Sequence, residues 1–198
     1  MSKLRDNKEV EIFQEYLRIA SVHPDVDYTD CVSFLKNQAA ALNLPVKVVY
    51  PGGPTKPIVL ISWVGSDPSL PSILLNSHMD VVPVFPEHWT YPPFEAHIDK
   101  DGKIFARGTQ DMKSVGMQYL AVVRHFKNQG IHFKRSIHIL FCPDEEIGGF
   151  KGMKEFVKTK DFESLNVGCA LDEGGPSPTN ILPLHYGERY IWGRFFSL

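Results

Sequence analysis

The chain has 198 residues, 43% of them hydrophobic, with 13 Phe, 7 Tyr and 3 Trp. That is enough apolar material for a packed core in one large domain, and it excludes a disordered chain. A formal net charge of -2 and the lack of any long Lys/Arg run exclude a phosphate-binding surface, so neither nucleic acid nor membrane is an expected partner.

The opening MSKLRDNKEVEIF has no apolar core and no small-residue cleavage site, so no secretory leader is expected. Val10, Phe13, Leu17 and Ala20 are spaced as one face of a first helix. Cys31, Leu35, Ala39 and Leu42 repeat the pattern after the candidate caps Asp27 and Thr29. VKVVY (46–50) and IVLISWV (58–64) read as strands around the turn-forming PGGPTKP, and ILLNS (73–77) reads as a third. Residues 81–103, rich in proline and aromatics, form a loop too long for a simple turn.

Residues 111–130 predict a helix with Met112, Val115, Tyr119, Val122, Val123 and Phe126 facing the core and Gly130 as its stop. SIHILFC (136–142) is a strand, residues 152–158 a short helix, and VGCALD (167–172) another strand. A last strand over 181–189 is weakened by Pro183. Alternating strands and helices with continuous apolar runs predict an α/β fold, with a mixed, largely parallel central sheet flanked by helices. No apolar stretch reaches the roughly 18 residues of a spanning helix. Cys31, Cys142 and Cys169 form no CxxC pair and are odd in number. They suit buried thiols in a reducing compartment, so the cytoplasm is the expected location.

Three apolar strands end in chemistry-bearing residues. ILLNS leads into His78 and Asp80, HILFC into Asp144, Glu145 and Glu146, and GCALD into Asp172 and Glu173. In open α/β sheets, ligands sit outside the carboxyl ends of strands. Asp111, ahead of the long helix, is a fourth contributor. Each has a plain reading alone: a surface His, a solvated acidic turn, a helix cap. Together they crowd carboxylates that only a cation makes tolerable at neutral pH. Mixed imidazole and carboxylate ligands suit zinc, with manganese or cobalt as alternatives. More than four candidates suggest two ions, roughly 3.5–4 Å apart.

Residues two apart in extended chain share a side, so Asp80 is placed to take the other ring N–H of His78. Neighbours point apart, so one of Glu145 and Glu146 binds metal and the other serves as general base. His23, His88, His97, His125, His132, His138 and His185 show no ligand spacing, and the HExxH, GxSxG, P-loop and GxGxxG motifs are absent.

SHMDVVP, Trp89 with PPF at 92–94, DGKIFARGTQDMK, PDEEIGG and ALDEGG resemble the dinuclear zinc amidohydrolases and exopeptidases. The resemblance runs from the first helix to about residue 190. It implies that His78 and Glu173 bind the first zinc, Glu146 the second, and Asp111 both, with a cis peptide after Asp111. It implies that Asp80 orients His78 and that Glu145 is the general base. The implied reaction is hydrolysis of an N-acyl-L-amino acid to a carboxylate and a free amino acid, in a homodimer. A dipeptidase or carboxypeptidase on the same scaffold, and a shortened non-catalytic product, are the alternatives.

Family members carry more chain than this. Their catalytic domain is interrupted by a lid or dimerisation domain and resumes afterwards, supplying the last histidine of the second zinc site. By the resemblance, residues 1–187 are the N-terminal segment of a catalytic domain and 188–198 the start of a lid or a divergent tail. The fold is then incomplete relative to the family, and this chain alone is expected to bind zinc weakly and turn over poorly.

Overall fold

A computed structural model describes residues 7–175, 177–181, 183 and 187. Beside the middle strand of its sheet runs β2 (Ile58–Trp63), where Ile58, Val59, Leu60 and Ile61 are all buried. Side chains alternate across a strand, so such a run needs cover on both faces. Val59 and Ile61 join Tyr16, Leu35, Leu120, Val123 and Phe141 in the larger core. That core lies under α1 (Lys8–Leu17), α2 (Thr29–Ala41) and α3 (Lys113–Asn128). Ile58 and Leu60 join Leu140, Phe156 and Leu165 on the other face, under α4 (Met153–Phe156) and α5 (Lys160–Glu163). Burial of each such side chain contributes about 1.5–3 kcal/mol.

The sheet also contains β1 (Val46–Val49), β3 (Ser72–His78), β6 (Ile137–Cys142) and β7 (Val167–Leu171), in the order β1-β2-β6-β3-β7. β2 pairs antiparallel with β1 and β6, while β3 pairs parallel with β6 and β7. β2 therefore runs against the other four strands, and the sheet is mixed and largely parallel, as the sequence predicts. The long loop contains a small ribbon, β4 (His97–Ile98) with β5 (Ile104–Phe105), too short to show in a hydrophobic pattern.

Two helix faces match expectation in part, with Leu17, Met112 and Val123 buried and Phe13, Tyr119 and Phe126 packed against the core. In α1 the buried residues are Ile12, Tyr16 and Leu17, and Ala20 lies exposed beyond the helix. In α3 they are Lys113, Gly116, Met117, Leu120 and Val123, while Val122 is exposed. Gly116 packs so closely that a Cβ there would lie 2.6 Å from the Phe141 ring, which rotates the helix toward that side. Lys113 is fully buried because its ammonium donates to the carbonyls of Tyr16 (3.1 Å) and Ile19 (2.6 Å) near the end of α1. The face predicted for α2 holds, since Cys31, Leu35, Ala39 and Leu42 are all buried. Most of the strand expected over 181–189, His185 and the unit expected from residue 188 lie outside the described residues. Among the described residues no helix is long and apolar enough to cross a membrane.

Candidate metal centre

β6, β3 and β7 are parallel neighbours, so their carboxyl ends open on one edge of the sheet. His78 closes β3, the turn Asp144–Glu146 follows β6, and Asp172 and Glu173 follow β7. Asp111 reaches the same edge from the start of α3, through a cis peptide to Met112.

The imidazole of His78 is fully buried and is the hub. Its Nε2 lies 2.8 Å from Asp111 Oδ1, 3.7 Å from Glu145 Oε2 and 3.8 Å from Glu173 Oε2. His78, Asp111 and Glu146 offer ligand atoms all within 4.8 Å of one another, and so do His78, Glu145 and Glu173. The structure thus brings His78, Asp111, Glu145, Glu146 and Glu173 to one place.

Asp80 behaves differently from its sequence reading. The bond to His78 Nδ1 is accepted by the main-chain carbonyl of Asp80 at 2.8 Å, while the carboxylate oxygen stands at 3.6 Å. The carboxylate is engaged elsewhere. Oδ2 accepts from His23 Nε2 at 2.7 Å and from the Glu146 N–H at 3.1 Å, and Oδ1 accepts from the Glu145 N–H at 3.2 Å. Asp80 therefore holds the glutamate turn as well as the histidine.

The same turn is fixed from its other end. Asp144 takes a left-handed conformation, φ 63°. Its carboxylate accepts from Lys56 Nζ at 2.8 Å and from the Tyr28 hydroxyl at 3.1 Å. His23, Tyr28 and Lys56 gave no signal in the sequence, because each meets its partner across a long stretch of chain.

Burial works against a charged His78, but the carboxylates of Asp111, Asp80 and Glu173 around it outweigh that and hold its pKa well above the usual range. The hydrogen bond from His78 lowers Asp111. Burial pushes Glu145 up to about 7, against the attraction of His78 and with repulsion from Glu173 and Glu146. Glu146 is raised by burial and by Asp111. One ring proton neutralises at most one of the carboxylates facing Nε2, whereas a dication meets all of them. One imidazole among several carboxylates is a donor set that zinc, manganese and cobalt accept, so the residues fit a divalent ion.

Fold and site together define a mixed α/β unit with a candidate metal centre at the carboxyl edge of its sheet. Residues 74–190 match the family described as Peptidase family M20/M25/M40, and the chain belongs to that family, which implies a divalent metal. It is 50% identical over 190 residues to Aminoacylase-1 from Mus musculus, covering 94% of this chain and 46% of that protein. To Aminoacylase-1 from Dictyostelium discoideum it is 47% identical over 193 residues, covering 97% and 47%. An M20 family metallo-carboxypeptidase from Sulfolobus solfataricus superposes with a TM-score of 0.72 at 26% identity, over 85% of this chain and 38% of that one. The chain spans about half the length of the curated relatives it matches.

Proposed function

We propose that this chain is the N-terminal part of the catalytic unit of a zinc-dependent amidohydrolase. Its reaction is hydrolysis of N-acyl-L-amino acids to a carboxylate and a free L-amino acid, in the cytoplasm and in a homodimeric form. The observation that carries the reading is the convergence of Asp111, Glu145 and Glu173 on His78 Nε2, with Glu146 beside Asp111. Identity to Aminoacylase-1 across nearly the whole chain supports the N-acyl substrate over a peptide. Three free cysteines, two of them buried, support a reducing compartment.

His78, Asp111, Glu146 and Glu173 would hold the metal, which supplies Lewis acidity toward the acyl carbonyl and favours ionisation of water. Without metal Glu145 stands at about 7, and a dication beside it lowers it, which leaves a carboxylate ready to accept a proton. It takes the proton of the attacking water and delivers it to the leaving amine nitrogen. Asp80 fixes Glu145 and Glu146 through their amides. Among the described residues, His78 is the single histidine in either ligand group, which supports weak zinc binding and poor turnover by this chain alone.

Offering N-acetyl-L-methionine and a methionine dipeptide to this chain, and to a form spanning the full length of its relatives, tests the reading. Faster release of methionine from the acetylated substrate is expected. Preference for the dipeptide moves the assignment to a peptidase on the same scaffold. Zinc uptake with no turnover by the longer form reduces it to a non-catalytic protein.

A further inference from the structure

The loop between α1 and α2 sends one side chain toward the site. His23 is 9% exposed, and its Nε2 lies 2.7 Å from Asp80 Oδ2, an oxygen that also accepts from the Glu146 amide. Asp80 itself has no exposure to solvent. A buried carboxylate keeps its orientation only while its lone pairs are occupied by fixed donors. The donors here are the Glu145 amide on Oδ1, and the Glu146 amide with His23 on Oδ2.

The His23 side chain is not what docks this loop. Residues 21–23 already lie along residues 79–81 through main-chain bonds. Val81 N–H donates to Ser21 O at 2.9 Å and His23 N–H to Val81 O at 3.1 Å, and the Ser21 hydroxyl donates to Met79 O at 2.6 Å. What the imidazole adds is a third donor on Asp80, on the same Oδ2 that accepts from the Glu146 amide. Without it the carboxylate gains freedom about its own bond, and the two amides lose a fixed acceptor.

We propose that His23 is a positioning residue that sets Glu145 and Glu146 by fixing the Asp80 carboxylate between them. The proposal rests on the roles given above to those two glutamates. His23 donates from Nε2, so a glutamine amide, with closely similar reach, substitutes for it. Leucine keeps bulk but offers no donor.

The test compares the chain with His23→Leu and His23→Gln by amide hydrogen exchange, without metal, and by Co2+ titration followed through the visible absorption of the bound ion. In His23→Leu the Glu145 and Glu146 amides should exchange at least about tenfold faster relative to Ile139 and Leu140 in β6. Co2+ affinity should fall about tenfold, the low end of the loss seen for partners bonded directly to metal ligands, because His23 acts one bond further out through Asp80. His23→Gln should restore both to within about threefold. If His23→Leu does not fold, His23→Asn, whose amide falls short of Asp80, is read the same way. Unchanged protection at Glu145 and Glu146, uniform loss across β6, or failure of His23→Gln to rescue overturns the proposal. A parent chain that binds no Co2+ counts against the metal centre. Selective, glutamine-rescued loss of protection in that chain would still support the hold of His23 on the turn.

Discussion

Adding zinc to the metal-free chain should release protons, in a number that falls with pH as the site dictates. His78 is held well above its usual pKa by the carboxylates around it, so it carries a proton throughout the neutral range. It must lose that proton from Nε2 to become a ligand, which contributes about one proton. Glu145, at about 7, is roughly nine-tenths protonated at pH 6, half at pH 7 and one-tenth at pH 8. A dication within reach of Glu145 drives its proton off. The sum is about two protons at pH 6, about 1.5 at pH 7 and about one at pH 8. Titration calorimetry in buffers of different ionisation enthalpy reads that number as a slope. A slope near zero at pH 7 would mean that His78 Nε2 is already bare, and the electrostatic reasoning would fail. A slope that does not change with pH would remove Glu145 from the neutral range.

Glu145 also makes the metal-free fold sensitive to pH. Its folded pKa of about 7 stands above the ordinary 4.5, so its stabilising contribution is present below 4.5 and lost as pH rises through 7. Glu145→Gln should therefore raise the melting temperature of the metal-free chain at pH 8 but not at pH 4, and equal shifts at both would contradict this. Lys113→Met removes two buried hydrogen bonds from a charged donor to Tyr16 O and Ile19 O, each of which keeps a main-chain N–H partner. The cost should be about 2–3 kcal/mol, a fall of about 4–12 °C in Tm by calorimetry. Gly116→Ala forces a Cβ to within 2.6 Å of the Phe141 ring and 2.8 Å of Ser77 Oγ. Urea unfolding should show a loss of about 1–3 kcal/mol from overpacking.

The sheet was legible because its strands are apolar runs, three of which, β3, β6 and β7, lead into His, Asp or Glu. β2, β3 and β6 must be buried on both faces, and a strand that then turns to His or Asp announces the edge where the chain meets solvent. The candidate cluster followed from that: His78, Glu145, Glu146 and Glu173 lie at or just beyond the ends of β3, β6 and β7, and Asp111 reaches them from the start of α3. The helix faces were less legible. Lys113 reads as a solvent-facing residue until the carbonyls of Tyr16 and Ile19 near the end of α1 are seen beside its ammonium, and Gly116, which carries no hydrophobic signal, packs against Phe141. The support of the site was not legible at all. Asp80 is two residues from His78, which suggests a side-chain bond, yet the carbonyl makes it and the carboxylate turns to the glutamate amides. His23, Tyr28 and Lys56 act across 57 to 116 residues of chain, where no local spacing constrains them.

The central claim is that His78 and the carboxylates of Asp111, Glu146 and Glu173 hold a divalent ion together. X-ray absorption at the zinc edge of the zinc-loaded chain tests it most directly. Imidazole nitrogen and carboxylate oxygen scatterers are expected at about 2.0–2.2 Å, with the imidazole signal lost in His78→Ala. Sulfur scatterers at about 2.3 Å, or an imidazole signal that survives His78→Ala, would contradict it.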